Sequence, residues 1–174
     1  MTSELWNALP ARIRTSPARS LILRQARSAD VAELHVLDTQ VFEEVAYPYF
    51  LMRQMIDMYR QHCLVLDDGE HLHGYVLAAT SILNRDSWIL GLCVSTDRRG
   101  EGLGRDLMTE ILIRLRDDGI RVVRLTVEPG NTVAVALYEC LGFVPEQPDN
   151  GFRSEYFGPG EHRLVMRLDL PAAA

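Results

Sequence analysis

Lysine is absent from the 174-residue sequence, and all 18 of its basic residues are arginine. A nucleotide-binding P-loop needs its lysine and a Schiff-base enzyme needs a reactive amine, so both classes of protein are excluded. The 24 acidic residues outnumber the basic ones and give a net charge of −6 at pH 7. Non-specific nucleic-acid binding depends on a positive field, so we expect no nucleic-acid partner.

Cysteine is also scarce, and the three that occur, Cys63, Cys93 and Cys140, form no C-x-x-C pair. Their number and spacing exclude a disulfide framework and a zinc knuckle, and they indicate a reducing compartment. We therefore expect no metal site. Cys93 and Cys140 have apolar sequence neighbours, which predicts core thiols.

Long apolar runs are missing as well. No uncharged stretch approaches the ~20 residues of a membrane helix, and the first residues lack the basic and apolar regions of a signal peptide. We therefore predict a cytoplasmic protein with no membrane partner. A chain of this length, 47% apolar, suits one domain. We place that domain at residues 20–170, between an N-terminal arm at 1–19 and a tail at 171–174.

The order of apolar patterns predicts an α/β (α+β) fold with the sequence β-α-α-β-β-β-α-β-α-β-β. Three strands joined by short turns between residues 62 and 94 indicate an antiparallel meander. A strand, a helix and a strand between residues 88 and 127 predict a right-handed crossover that makes two strands parallel neighbours. The result is a mixed, mostly antiparallel central sheet with helices on both faces.

A glycine-rich turn lies between the predicted strand at 88–94 and a long amphipathic helix. Gly100, Gly102 and Gly104 alternate there, so an anion can approach the backbone closely. The first N–H groups of a helix lack partners and carry partial positive charge, which attracts phosphate. Three arginines add charge: Arg98, Arg99 and Arg105. The turn predicts a phosphate or pyrophosphate site, the alternative being a tight turn without a ligand.

Two motifs together resemble the GCN5-related N-acetyltransferases (GNAT). Arg99-x-x-Gly102-x-Gly104 is similar to that family's acetyl-CoA-binding motif, and residues 131–143 look like its second block, Asn-x-x-Ala-x-x-Leu-Tyr-x-x-x-Gly-Phe. Residues 156–166 are similar to the C-terminal hairpin of the branch that acetylates ribosomal-protein N-termini. The resemblance covers about residues 20–170. It implies the GNAT fold and acetyl-CoA as co-substrate.

The resemblance also implies a cofactor site. The strand around Leu92 would carry a bulge whose main chain bonds the pantetheine arm, and the glycine turn would hold the pyrophosphate. Asn131, alternatively only a helix cap, would lie near the thioester. The implied acetyl-CoA-binding residues are Leu92, Cys93, Val94, Arg99, Gly100, Glu101, Gly102, Leu103, Gly104, Arg105, Asn131 and Ala134.

Two catalytic candidates follow from the resemblance. Tyr138 is similar to the family tyrosine that protonates the leaving thiolate, the alternative being a packing tyrosine. The base of the ribosomal-protein branch, a glutamate, falls here on Thr126, which cannot act as a base. We expect Glu128, two residues on and on the same strand face, to take that role. A solvent-facing charge is the alternative for Glu128, and Glu43 and Glu44 are the next candidates.

The sequence therefore predicts an N-acetyltransferase that moves acetyl from acetyl-CoA to a primary amine by direct attack in a ternary complex. The acceptor is a small amine, an amino acid, an antibiotic or a peptide N-terminus. Loops 41–50 and 148–160 are expected to build its pocket, with aromatic side chains among Tyr47, Tyr49, Phe152, Tyr156 and Phe157. A non-catalytic acyl-CoA sensor or scaffold and transfer of a longer acyl chain remain alternatives, and a homodimer remains open.

Overall fold

The structure, a computed structural model, describes residues 14–16 and 19–172. Most of the predicted arm at 1–19 and the last two residues of the predicted tail lie outside the described residues. Within the arm, Arg14–Ser16 forms a strand that pairs with the next one. A three-residue strand carries too little pattern to be recognised in a sequence.

The described elements follow the predicted order, with short strands added at both ends. The strands are β1 (Arg14–Ser16), β2 (Arg19–Gln25), β3 (Cys63–Asp67), β4 (Leu72–Ser81), β5 (Asp86–Val94), β6 (Val122–Val127), β7 (Val144–Pro145), β8 (Phe152–Arg153) and β9 (Arg163–Asp169). The helices are α1 (Val31–Phe42), α2 (Tyr49–Tyr59), α3 (Leu103–Asp117) and α4 (Thr132–Cys140). The two-residue β8 is a strand within the predicted domain that the sequence did not indicate.

One sheet contains all of the described strands, in the order β1-β2-β3-β4-β5-β6-β9-β7, with β8 paired to β9. Strands β5 and β6 are parallel neighbours, as the crossover through α3 predicts. The other described pairs are antiparallel. The predicted mixed, mostly antiparallel sheet is confirmed.

Each face of the sheet has its own apolar core, because alternate strand residues point to opposite sides. Leu64 and Leu66 of β3 pack with the buried side chains of α3 and with Tyr138 of α4. Cys63 and Val65, from the same strand, pack instead with α1 and α2. Helices therefore cover both faces, as predicted, and the sheet separates an α3/α4 side from an α1/α2 side.

The cysteines correct one expectation. Cys63 and Cys93 are buried, but Cys140, at the end of α4, is exposed. Apolar neighbours in sequence do not decide which side of a short helix a residue occupies, so the prediction of a core thiol at Cys140 was wrong. Among the described helices, none combines the length and the apolar character needed to cross a bilayer.

Candidate active site

Strands β5 and β6 separate halfway along their length. Their parallel pairing runs from Asp86 opposite Val122 to Ile89 opposite Leu125 and then ends. Beyond that point β5 continues beside β4, while β6 continues beside β9. A cleft of about 970 Å³ opens where the strands part, lined by both strands and by the N-terminal end of α3.

A bulge in β5 lies at the start of this opening. Leu77 of β4 is opposite Gly91 and Ala78 is opposite Ile89, so Leu90 is the extra residue. The bulge expected around residues 92–94 therefore lies two residues earlier, next to the last pair with β6. The Leu90 carbonyl accepts a hydrogen bond of 2.8 Å from the Tyr47 hydroxyl. A side chain from the α1–α2 loop therefore already bonds the carbonyl of the bulge.

The glycine-rich segment leads into α3, and the first turn of that helix borders the cleft. Gly100 and Gly102 have φ of +84° and +83°, a conformation that favours glycine. The first helical bond runs from the Asp106 N–H to the Gly102 carbonyl. The N–H groups of residues 103–105 therefore have no acceptor within the helix. They form a group of backbone hydrogen-bond donors at the N-terminus of a 15-residue helix, the end that carries partial positive charge.

Three arginines lie beside these N–H groups, and two of them are not paired with a carboxylate of another described residue. The Arg98 guanidinium binds both oxygens of Glu101, at 2.8 and 3.0 Å, and this pairing raises the pKa of Arg98. Arg99 and Arg105 are exposed and line the cleft. Neither forms an ion pair with another described residue. The turn can therefore offer backbone donors and two arginine charges to one anion.

Tyr138 lies on α4 and lines the cleft, buried edge-on against Phe143. Its hydroxyl has no hydrogen-bond partner in the described part of the chain. Burial raises the pKa of Tyr138 to about 12. The group is therefore a protonated phenol at neutral pH and can donate a hydrogen bond or a proton to a ligand in the cleft.

The loop from β6 to α4 carries the next two predicted site residues. Asn131 caps α4, because its side-chain oxygen accepts from the Ala134 N–H at 3.1 Å. Both residues also line the cleft, so the residues that form the helix cap also form part of the cleft wall. Glu128 is exposed just beyond the end of β6 and lines the cleft with Thr126.

The cleft passes from one side of the sheet to the other. Val127 of β6 and Leu164 of β9 are opposite each other and belong to the α3/α4 side. By alternation, Thr126 and Glu128 face the α1/α2 side. Tyr138 packs on the α3/α4 side. A ligand in the cleft can therefore meet Glu128 and Tyr138 from opposite directions.

A buried carboxylate supports the α1/α2 side of the cleft. Asp38 of α1 is fully buried and accepts hydrogen bonds from the Tyr75 hydroxyl and, at 2.7 Å, from the Tyr47 backbone N–H. Tyr47 then reaches Leu90 through its own hydroxyl. This chain of contacts fixes the α1–α2 loop against the bulge.

The structure brings nearly all of the predicted site residues together. The cleft contains each of them except Cys93 and Glu101, and it contains neither of the next candidates for the base, Glu43 and Glu44. The Cys93 side chain is buried on the α1/α2 side, with its sulfur 3.9 Å from the Leu37 carbonyl, and burial raises its thiol pKa to about 12. Of the aromatic residues expected around the acceptor, Tyr47 and Phe157 line the cleft, whereas Tyr49, Phe152 and Tyr156 do not.

Sequence reasoning did not identify Asp38 or Arg163, which line or support the site. Asp38 had a weak signal, since it interrupts the apolar helical pattern of Leu34, Leu37 and Val41. Arg163 had no such signal in the sequence, because an arginine at the start of a strand is common on protein surfaces. Its position became evident only from the pairing of β9 with β6.

Comparisons with known proteins identify the family. The family model described as "Acetyltransferase (GNAT) family" matches residues 28–143. The chain is 32% identical over 99 residues to the L-2,4-diaminobutyric acid acetyltransferase of Shouchella clausii, a match covering 55% of this chain and 53% of that protein. It is 33% identical over 66 residues to the ribosomal protein bS18-alanine N-acetyltransferase of Escherichia coli K12, covering 38% and 45%. These matches span about half the length of each relative.

The fold has close counterparts among solved structures. One is YncA of Salmonella typhimurium, solved with its cofactor acetyl-CoA, at a TM-score of 0.73 and 19% identity over 88% of this chain and 96% of that one. The likeness supports the assignment of the fold. The family match extends over most of the chain and includes both motifs that form the cleft. The chain belongs to the acetyltransferase (GNAT) family.

Proposed function

We propose that this protein transfers an acetyl group from acetyl-CoA to a primary amine by direct attack in a ternary complex. The observation that carries this proposal is the cleft where β5 and β6 part. It joins an anion-binding helix terminus, an open strand edge and a buried phenol in one continuous space. Those are the features that a diphosphate, an amide-containing arm and a leaving thiolate require.

The diphosphate of the co-substrate fits the first turn of α3. The N–H groups of residues 103–105 lack helical acceptors, and Arg99 and Arg105 lie beside them. Beyond Ile89, the edge of β5 that faces the cleft is no longer paired with β6. Backbone groups of Leu92 and Val94 lie along that part of the strand and can bond the amides of the pantetheine arm. Asn131 and Ala134 border the thioester end.

The reaction requires two proton movements. The amine nitrogen forms a bond to the thioester carbonyl carbon, the carbon–sulfur bond breaks, and sulfur leaves with the electron pair. The first is the loss of protons from nitrogen: an ammonium acceptor gives up one proton before it attacks and a second once the bond has formed, and one of the two goes to solvent. The second is the gain of a proton by the thiolate. Tyr138 suits the second step, because its buried hydroxyl is protonated and unpartnered within the described chain. Burial also makes its hydrogen bond to a developing thiolate stronger than in water.

Glu128 suits the first step. It lines the cleft on the α1/α2 side, opposite to Tyr138. A carboxylate there can attract an incoming ammonium group and receive its proton, directly or through water. The amine would thus enter from one side of the sheet while the thiol leaves toward the other.

The names of the relatives support an acceptor with an amino group on a small acid or at a protein terminus. One relative is named for diaminobutyric acid and another for the alanine of ribosomal protein bS18. The apolar wall of Val41, Phe42, Val45 and Tyr47 leaves room for a side chain beside the amine. We infer that the acceptor is an amino acid or a peptide N-terminus.

An acceptor screen tests the proposal. Purified protein and acetyl-CoA are mixed with amino acids, diamino acids, polyamines, aminoglycosides and short peptides, and free thiol is measured over time. We expect amine-dependent thiol release and a product heavier by one acetyl group in mass spectrometry. Binding of acetyl-CoA without transfer to any amine would contradict catalysis and favour a sensor. Absence of binding would contradict the site itself.

A further inference from the structure

We propose that Arg163 is a specificity-determining residue that selects acceptors with a carboxylate a few bonds from the reacting amine. The inference rests on the proposed function and concerns the acceptor end of the same cleft. In this inference, Arg163 binds the carboxylate of the acceptor and Glu128 contacts its reacting amine. The preferred acceptor is then amino-acid-like, either a free amino acid or a peptide with an acidic residue near its N-terminus.

The strand register brings the two charged residues to the same end of the sheet. Val127 of β6 is opposite Leu164 of β9 in the last pair of that ladder, and Glu128 and Arg163 are the next residues beyond that pair. Both line the cleft. They nevertheless form no ion pair with each other in the described structure, so a ligand can lie between and above them.

Neighbouring groups fix the Arg163 side chain but accept only some of its hydrogen bonds. Its side chain is 12% exposed. One N–H donates to the His162 carbonyl at 2.7 Å, and another to the Glu161 carboxylate at 2.9 Å. The guanidinium also lies 4.7 Å from the centre of the Phe157 ring. A guanidinium has five N–H donors, and the others have no acceptor among the described residues.

These contacts make Arg163 a preorganised receptor for an anion. Guanidinium groups bind carboxylates through two parallel hydrogen bonds, which specify both charge and orientation. Glu161 competes for the same group, but its side chain is 46% exposed and can rotate into solvent. Arg153 of β8 adds positive charge from the other side, since it is opposite Arg163 in the sheet. Its guanidinium donates to the Pro148 and Phe152 carbonyls.

The same arrangement works against polycations. A second ammonium group of a polyamine would approach a fixed guanidinium in a cleft with reduced solvent, where like charges repel strongly. An amine with a nearby carboxylate instead matches both charges of the pair. The electrostatics of the acceptor end thus discriminate between acceptors that carry the same reacting group.

Matched acceptor pairs test this inference. The free amino-acid arm compares 2,4-diaminobutyrate with 1,3-diaminopropane, the same diamine without its carboxylate. The peptide arm compares peptides that begin Ala-Asp and Ala-Asn. In at least one arm, we expect the carboxylate-bearing member to have a kcat/KM at least about tenfold higher, the range of a charged hydrogen bond. Arg163→Gln should abolish that preference, because it lowers kcat/KM for the carboxylate-bearing member and, in the diamine arm, raises it for 1,3-diaminopropane, whose second ammonium group is no longer repelled. The arm that shows the preference identifies the source of the carboxylate.

Glu161→Gln provides the opposing control. Removing the competing carboxylate should lower KM for the carboxylate-bearing acceptor, whereas a purely structural ion pair predicts no gain. Equal use of both members in both arms, a preference for the carboxylate-free member, or equal losses with Arg163→Gln would overturn the inference. A raised KM in Glu161→Gln would do the same.

Calorimetry separates this inference from the proposed function. Each acceptor is titrated into protein saturated with CoA, so that no turnover occurs. Tighter binding of the carboxylate-bearing member, lost in Arg163→Gln, supports the carboxylate site even if transfer fails. Equal binding of both members overturns the site even if transfer succeeds. Thermal unfolding of each variant verifies that it is folded.

Discussion

The hydroxyl of Tyr47 donates a 2.8 Å hydrogen bond to the carbonyl of Leu90, the first residue of β5 beyond its last parallel pair with β6. This contact joins the loop after α1 to the strand edge at the point where the sheet opens. The backbone of Tyr47 is in turn bonded to the buried carboxylate of Asp38. The side of the cleft that we propose for the acceptor is therefore anchored to the core.

Replacing Tyr47 by phenylalanine removes this contact and keeps the ring. A lost neutral hydrogen bond is worth about 1 kcal/mol, so we expect KM for the amine to rise about fivefold. Affinity for acetyl-CoA, measured by calorimetry, should stay the same because the contacts proposed for that ligand are with the first turn of α3, Leu92 and Val94, and not with the Tyr47 hydroxyl. Tyr49→Phe, an exposed tyrosine outside the cleft, is the matched control. Equal KM values in the two variants would show that the contact does not position the acceptor wall.

Asp38→Ala should destabilise the fold. The buried Tyr75 hydroxyl and the Tyr47 N–H would both lose their acceptor, and leaving buried donors unsatisfied costs roughly 3 kcal/mol. Urea unfolding measures this loss. Asp57→Ala removes an exposed carboxylate paired with Arg53, and we expect no measurable change there because exposed ion pairs contribute little. Similar midpoints for both variants would contradict the role given to Asp38.

Tyr138→Phe should lower kcat about 100-fold, the typical contribution of a positioned proton donor, without changing acetyl-CoA affinity. Single-turnover kinetics and calorimetry separate these two quantities. An unchanged rate would exclude Tyr138 from the chemistry.

The pH dependence of Tyr138 follows from its environment. Burial raises the pKa of its hydroxyl to about 12, whereas an unfolded tyrosine ionises near pH 10. The protonated donor is therefore present below pH 10, and the stability linked to the neutral buried phenol is lost as pH rises from about 10 to about 12. Ultraviolet difference titration of the wild type against Tyr138→Phe measures this ionisation. Ionisation near pH 10 would show that the phenol is not buried.

Local patterns predicted the parts of the site that depend on neighbouring residues. The glycines at 100 and 102 adopt left-handed conformations because of their own steric freedom, and Asn131 caps the helix that starts beside it. Both features are visible within a few residues of sequence. The parallel β5–β6 pair was also predictable, since a strand, a helix and a strand nearly always cross over to the same hand.

The features that sequence reasoning missed depend on long-range register. The bulge at Leu90 exists because β4 pairs with β5 on both sides of it, and Arg163 reaches the cleft because β9 pairs with β6. No segment of the sequence near either residue specifies those pairings. Asp38 looked like an ordinary polar residue because its partners, Tyr47 and Tyr75, lie nine and 37 positions away.

Calorimetric titration of acetyl-CoA into two variants of Gly104 tests the central claim most directly. A Cβ at this position would lie 3.6 Å from Leu137, an ordinary contact, so Gly104→Ala should keep the fold and bind acetyl-CoA. Gly104→Asp places a negative charge in the first turn of α3, where it favours the helix but opposes the diphosphate. Loss of binding in Gly104→Asp, with an unchanged circular dichroism spectrum, is the predicted result. Equal affinity in the wild type and both variants would contradict the account.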